Sequence, residues 1–484
     1  MRVAFYAPLK APDHEVPSGD RAIARLLLAA LRSAGAARGW EVDLASRFRS
    51  FDGRGDQERQ ARLRDIGTRL ADRLIRRYRE HPAERRPRLW FTYHLYHKAP
   101  DWLGPAVSER LGIPYVVAEA SHAAKQAGGK WRIGHDAAVH AIRLADAVLV
   151  LNRDDAPGVR SVAADPSRIV SFPPFLGPRG VPPEEGRSGS PEAARGGRPA
   201  EAEGPEGVPA AAADVARLAG LPSGVVAAPA APGTRTAVAG RWDLPVADPW
   251  LLCVAMMRGG RKLASFEVLA EALARPGLAA RPWHLVLAGD GPERPAVEAV
   301  FAKRLPATRV TFTGRVEDDA LARLYASAGL FVWPAVGEPM GMAMLEAQGH
   351  GLPVVAGRTR GVPDLVRHEE TGLLVREGDA DAFAGAVRAL LEAPERRRRM
   401  GDAARVRVAR EHSSETATAR LGDLVETLVR GRSPKARPVS ERPMEPQPLP
   451  ERERERVRGQ ERGRPPPGAN GTSRQTPPPR TGGA

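Results

Sequence analysis

Glu338 and Glu346 stand eight residues apart in the stretch Gly337-Glu338-Pro339-Met340-Gly341-Met342-Ala343-Met344-Leu345-Glu346-Ala347. Proline and glycine after the first glutamate mark a turn, and the residues from Met342 onward are good helix formers. The apolar run Leu330–Trp333 just upstream reads as a strand. The order is strand, turn, helix start, with one carboxylate at the turn and one about two helical turns in. At 3.6 residues per turn this separation brings both carboxylates near one face. A helix start also presents backbone N–H groups without internal partners, and these attract anions. Carboxylates bind hydroxyls and amides bind phosphate, so the stretch suits a sugar that carries a diphosphate. A plainer reading stays open, in which Glu338 offsets the helix dipole and Glu346 belongs to a solvated face.

Cations stand where such a ligand needs them. Arg258 and Lys262 follow the apolar run Trp250–Ala255 and sit at a strand-to-helix junction. Fixed positive charge there would stabilise a leaving diphosphate, usually a large catalytic effect; ordinary surface charge is the alternative. His122 follows the strand Tyr115–Ala118 by a short turn. His94, His97 and Lys98 follow another strand and are acceptor-contact candidates on even terms with a packing role. The histidine spacing fits no compact metal site. Asp379-Ala380-Asp381 imitates an Asp-x-Asp metal motif, but its position before a helical run favours helix capping. There is no Walker A sequence and no Gly-x-Gly-x-x-Gly opening a helix.

These residues need elements to hold them. In residues 1–176, strands read at Arg2–Tyr6, Trp40–Ala45, Arg88–Tyr93, Tyr115–Ala118 and Ala147–Leu151, with helical patterns at Asp20–Ser33 and around Leu63, Ile66, Leu70, Leu74 and Tyr78. The alternation predicts a parallel sheet covered on both faces. Residues 177–241 are dominated by Ala, Gly, Pro, Glu and Arg and hold no aromatic residue, which predicts a flexible insertion with a short helix near Ala211–Leu218. Residues 242–412 alternate again, from strand Leu251–Met256 to helix Ala380–Leu391 and the Arg-rich run Glu395–Glu411. Residues 413–430 hold a final amphipathic helix, and residues 431–484 form a Pro/Arg-rich tail expected to be disordered. The fold class expected is α/β: two doubly wound Rossmann-like domains facing across a cleft, where ligands gather outside the carboxyl ends of the strands.

Composition narrows the classes. The net charge of +15 suggests nucleic acid at first sight, but residues 431–484 hold twelve Arg/Lys against six Glu, so much of the excess lies in the tail. Only seven of the 73 basic residues are lysine. Basic excess alone speaks to non-specific binding, so no nucleic-acid partner is expected. Cys253 is the sole cysteine and lies in an apolar strand, which leaves no disulfide framework. The chain begins on a strand pattern, and no run of about eighteen apolar residues occurs. The expectation is a cytoplasmic protein. The Arg-rich helix Arg59–Arg79 raises peripheral contact with an anionic membrane face, although Asp65, Asp72 and Glu80 interrupt it and core packing is simpler.

The second half resembles glycosyltransferase family 4, retaining enzymes of the GT-B fold. The matching pieces come in order: Val254–Arg258 with Lys262, Leu285–Pro292, Val310–Val316, Leu324–Ala326, Phe331–Pro334, Glu338-x7-Glu346, Gly351–Val355 and Thr371–Val375. The first half resembles the family more loosely, at Pro17–Arg21, Ala120–His122 and Ala145–Val150. The resemblance implies that Glu338 contacts the donor sugar and Glu346 the nucleotide ribose. It implies Arg258, Lys262 and the N–H groups of Gly341, Met342 and Ala343 at the diphosphate, with Gly19 approaching it from the other domain. Gly289, Arg315 and Val316 would line the donor side, and His122 would contact substrate.

The residues predict a glycosyltransferase, and the resemblance implies that it is retaining and metal-independent. Its donor would be a nucleotide-diphosphate sugar on the second domain, its acceptor an unidentified molecule on the first. A nucleotide-sugar epimerase or phosphorylase on the same fold, and a non-catalytic nucleotide-sugar-binding protein, are the alternatives.

Overall fold

Runs such as Val3–Tyr6, Val116–Ala118 and Ala147–Val150 are apolar at every position, as a strand buried on both faces requires, and each of these residues is buried. The computed structural model describes residues 1–16, 18–177 and 233–431. Most of the expected insertion, its helix near Ala211–Leu218 and all but the first residue of the tail lie outside the described residues.

Twelve strands form two sheets among the described residues. The first contains β1 (Arg2–Tyr6), β2 (Glu41–Ser46), β3 (Pro87–Leu95), β4 (Tyr115–Ala120), β5 (Ala147–Val150) and β6 (Ile169–Ser171), ordered β2-β1-β3-β4-β5-β6. The second contains β7 (Trp250–Val254), β8 (His284–Ala288), β9 (Val310–Gly314), β10 (Leu330–Trp333), β11 (Val354–Arg358) and β12 (Gly372–Arg376), ordered β12-β11-β10-β7-β8-β9. Every pairing is parallel. Each sheet reverses its direction of growth once, between β1 and β3 and between β7 and β10. Loops leave such a reversal in opposite directions and open a crevice at the carboxyl ends.

Helices cover both faces. The helix Gly19–Arg38 is capped by Ser18, whose hydroxyl accepts from the Arg21 N–H at 3.2 Å, and it stops at Gly39 in the left-handed region (φ +73°). The helix Gln57–Glu80 buries Leu63, Leu74 and Tyr78 but leaves Ile66 exposed, so the apolar stripe is narrower than its sequence pattern.

Three placements differ from the sequence reading. β6 went unread because it has three residues and prolines close on either side. Residues 234–241, counted with the insertion, belong to a helix, Thr234–Trp242. Val238 and Ala239 are buried there, and the Arg235 guanidinium lies 3.9 Å from the centre of the Trp250 ring. The last helix, Ser414–Gly431, returns to the first sheet. Its Ala417, Leu421 and Val425 are buried in that sheet's core, and Arg38 pairs with Asp423 at 3.0 Å. Among the described residues, no helix is long and apolar enough to cross a membrane.

His412 closes this return. It is fully buried, and its Nδ1–H donates to the Pro174 carbonyl at 2.7 Å, joining the chain that leaves the first sheet to the chain that comes back. Burial pushes its imidazole down to about 4. In the unfolded chain a histidine titrates near ~6.5, so the unfolded state binds the extra proton between these values. Stability therefore falls as pH drops from about 6.5 towards about 4. His97, pushed down to about 4 by burial and by Lys98, adds to the same slope. We expect the melting temperature to decline through that window and His412→Gln to flatten the decline. An unchanged slope in the variant would contradict the assignment.

Candidate active site at the sheet reversal

β7 and β10 are neighbours in the second sheet, with Leu330 against Leu251 and Phe331 against Leu252. Beyond their carboxyl ends stand Arg258 in the loop after β7, Lys262 in the first turn of the helix Arg261–Leu273, and Glu338 in the turn after β10. Lys262 Nζ lies 2.5 Å from Glu338 Oε2, and the Trp333 indole N–H donates to the same oxygen at 3.2 Å. The ammonium also sits 4.9 Å from the centre of the Trp333 ring. The glutamate side chain is only 10% exposed and the lysine 32%, so this pair is partly withdrawn from water. Removing either partner would strand the other, which is costlier than losing a surface pair.

The turn holding Glu338 is built from unusual backbone. Ala335, Gly337 and Gly341 all have positive φ, at +57°, +59° and +80°. Side chains pin it: Ser265 Oγ accepts from Val336 N at 2.9 Å, and Glu377 accepts from Gly337 N at 2.7 Å. Gly341 is the residue before the helix Met342–Gly349, and no side chain caps that helix. The N–H groups of Met342 and Ala343 are among those a helix start leaves without an intrahelical partner. Glu346 lies one turn further on and accepts from the Tyr325 hydroxyl at 2.9 Å. The structure thus brings Glu338, Lys262 and the start of this helix together, with Glu338 in the turn and not on the helix.

Other sequence candidates take different places. Arg258 is exposed in the loop after β7. Lys10, in the loop after β1, feels its positive charge, so the two loops face each other. Gly289 has φ +144°, and a Cβ there would lie 2.0 Å from the Ala255 carbonyl oxygen. Its missing side chain lets the loop that carries Arg258 pass over β8. Gly291 does the same beneath Met257. Arg315 and Val316 follow β9, with Arg315 exposed and Val316 half-buried. Asp379 caps the helix Ala380–Glu392, accepting from Ala382 N at 2.9 Å. Among the described residues, no three His, Cys, Asp or Glu side chains gather as a metal site would require.

The first sheet presents a second polar wall at its own reversal. Gly19 opens the helix after β1, and a Cβ there would meet nothing within 4 Å. Next to it, Asp20 Oδ1 lies 3.1 Å from His94 Nδ1. The hydrogen bond to His94 holds the Asp20 carboxyl below its ordinary value. Burial alone would lower His94, but the Glu119 and Asp20 carboxylates outweigh it and raise the imidazole. Burial raises the Glu119 carboxyl. His94 and Glu119, near the ends of β3 and β4, both hold left-handed backbone (φ +62° and +60°), a strain that concentrates at functional sites. Sequence reasoning missed Asp20 and Glu119; a carboxylate at a strand's end, three residues before His122, was the available signal. His122 itself meets His135 at 3.2 Å between the Nε2 atoms and lies 3.4 Å from the Ser161 hydroxyl. The two walls are linked directly: the Asn152 amide donates to the Pro339 carbonyl at 3.0 Å, and Arg153 N donates to Asp364 at 2.9 Å.

Residues 248–393 match the family model described as Glycosyl transferases group 1. The chain carries a group 1 glycosyltransferase domain. It is 40% identical over 120 residues to the sulfoquinovosyl transferase of Arabidopsis thaliana, covering 24% of this chain and 23% of that protein. It is 36% identical over 148 residues to the GDP-mannose-dependent alpha-(1-6)-phosphatidylinositol monomannoside mannosyltransferase of Mycobacterium tuberculosis, covering 29% and 38%. With the D-inositol 3-phosphate glycosyltransferase of Nocardia farcinica it shares 33% over 198 residues, 39% of this chain and 43% of that protein. The matched part of the chain spans less than half of these relatives' own length. Solved structures extend the likeness of fold. Sucrose-phosphate synthase from Thermosynechococcus elongatus has a TM-score of 0.59 at 20% identity, over 89% of this chain and 100% of that one. Anabaena HepE in complex with UDP and glucose has 0.56 at 13%, over 88% and 99%. The fold is GT-B.

The two glycines of the site give a contrast. Gly289→Ala forces backbone apart and is expected to destabilise the group 1 domain by more than about 2 kcal/mol. Gly19→Ala meets open space and is expected to leave stability unchanged or slightly raised. Thermal melts of both variants check this; equal melting temperatures would contradict it.

Proposed function

We propose that the chain transfers a sugar, with retention of anomeric configuration, from a nucleotide-diphosphate sugar held on the carboxyl edge of the second sheet. The observation that carries this is the Lys262–Glu338 pair at the β7/β10 reversal, beside an uncapped helix start. An ammonium, free backbone N–H groups and a carboxylate meet at one point. That set suits a diphosphate joined to a polyhydroxyl ring. The complex of HepE with UDP and glucose, on the same fold, supports this donor class.

In this reading Lys262, Arg258 and the N–H groups of Gly341, Met342 and Ala343 take the diphosphate, and Glu338 turns to the sugar hydroxyls. Glu346 holds the ribose, steadied by Tyr325. Gly289 supports the loop of Arg258, and Arg315 and Val316 border the nucleotide. Gly19 lets the first domain close on the phosphates. The bond from the anomeric carbon to the donor phosphate breaks, and a bond to the acceptor oxygen forms on the same face. The acceptor proton passes to the departing phosphate oxygen, and Lys262 and Arg258 stabilise the leaving diphosphate in place of a metal. Charge grows on the diphosphate as the bond breaks, and prearranged cations lower the barrier most at that moment. The acceptor enters over the first sheet, where Asp20, His94, Glu119 and His122 offer hydrogen-bond partners. Closure of the walls excludes water, which would otherwise compete as acceptor.

The first test is a melting screen with nucleoside diphosphates and their sugars, since a ligand that binds the folded state raises its melting point. The matching nucleotide sugar should raise it, and Lys262→Ala should remove most of the rise. With that donor, Glu338→Ala should lower kcat/KM by about 100-fold, about 2.7 kcal/mol of transition-state stabilisation. A variant that transfers sugar at the wild-type rate would refute the role of Glu338.

A further inference from the structure

Lysine is rare in this chain, seven of 73 basic residues, and its placement is uneven. Five of the seven lie in the connections that follow the carboxyl ends of strands: Lys10, Lys98, Lys125 and Lys130 before the next α-helix, and Lys262 in the first turn of the helix Arg261–Leu273. Lys262 belongs to the donor site. Lys98, Lys125 and Lys130 gather elsewhere, in the loops after β3 and β4. Trp131 holds two of them, and Lys125 is close enough for its charge to act on the neighbouring His97. Lys98 Nζ stands 4.7 Å from the centre of its ring and Lys130 Nζ 4.5 Å. The indole is itself fixed, donating through Nε1 to the Asp52 carbonyl at 3.2 Å and meeting the His97 ring edge-on at 5.5 Å.

Among the described residues none of the three lysines forms an ion pair, and the nearby Asp52 carboxylate is taken by the Gln60 amide and the Arg54 and Asp56 N–H groups. The positive field shows in His97, which burial, Lys98, His135 and Lys125 all push down, with no acid pulling it back. Like charges held together cost free energy, and elsewhere the chain spends arginine–carboxylate pairs to avoid that cost. An indole that fixes two ammoniums lowers the entropy a bound anion would otherwise have to remove. The cluster adjoins the acceptor wall, because His135, which adds to the field at His97, meets His122.

We propose that Lys98 and Lys130, held on the Trp131 ring, with Lys125 nearby, bind an anionic group of the acceptor, a phosphate ester or a carboxylate. The inference rests on the acceptor lying over the first sheet. It makes the acceptor a charged sugar or polyol, with its reacting hydroxyl presented towards the donor and its anion held at Trp131.

Inorganic phosphate is the first probe, because it requires no knowledge of the acceptor. The full chain is saturated with the nucleoside diphosphate that gives the largest melting shift, which occupies the donor site, and is titrated with phosphate. Wild type should bind phosphate, and Lys98→Ala/Lys130→Ala should weaken binding at least tenfold while keeping the nucleotide-induced shift, which also shows that the variant is folded. The second arm assays transfer to matched sugars and polyols with and without a phosphate ester. The charged member should be preferred, and the double variant should raise its KM at least tenfold. Equal phosphate binding by wild type and variant overturns the inference. So does preference for the uncharged members, or transfer solely to lipid in anionic phosphatidylglycerol vesicles. The two readings fail separately. If no nucleotide shifts the melting point, the donor reading falls while the phosphate titration, run without nucleotide, still judges the lysine cluster.

Discussion

A lysine and a glutamate held 2.5 Å apart, with little water around the glutamate, organise the second domain's open edge. Ion pairs so placed are poor investments in stability, because dehydrating two charges consumes most of what their attraction returns. The surrounding structure nonetheless maintains this one closely. Trp333 lends an indole N–H to the glutamate and a ring face to the lysine. Ser265 and Glu377 hold the turn between them. Three residues accept positive φ so that Glu338 can leave the strand and face back towards Lys262. Such effort is intelligible if the pair is a resting state, in which each charge keeps the other in place until a ligand takes both.

The sheet order makes the pair possible. Lys262 and Glu338 are far apart in sequence, and only the reversal between β7 and β10 brings them side by side. The first sheet repeats the device between β1 and β3, where Asp20 meets His94. The two reversals face each other through Asn152 and Arg153, which bond the second wall's loops directly. The helix Ser414–Gly431 ties the end of the second domain back to the first sheet's core. The two walls are thereby joined both at the reversals and through this returning helix.

Much of this was legible in the residues. Strands buried on both faces announce themselves as unbroken apolar runs, and five of the first sheet's six were read; β6 was too short to stand out between its prolines. The turn and helix start around Glu338 and Glu346 at the second sheet's open edge were readable, because turn, helix start and carboxylate types are local features. What stayed hidden was non-local. The amphipathic pattern of the last helix shows that one face is buried, but not that it is buried on the first sheet. The Ala/Gly-rich composition around residue 234 concealed a helix that Trp250 and Arg235 make worthwhile. Gly289 suggested a ligand by its motif, whereas its geometry is that of one strand's exit passing over another. Asp20 and Glu119 are ordinary residues in isolation, and only the parallel pairing of β1, β3 and β4 sets them beside His94.

The most direct measurement is a crystal structure of the chain with the nucleotide sugar that stabilises it. The account predicts the diphosphate at the start of the helix Met342–Gly349, with Lys262 Nζ transferred from Glu338 to a phosphate oxygen and Glu338 turned to the sugar hydroxyls. A nucleotide sugar bound elsewhere, with the Lys262–Glu338 pair intact, would contradict it.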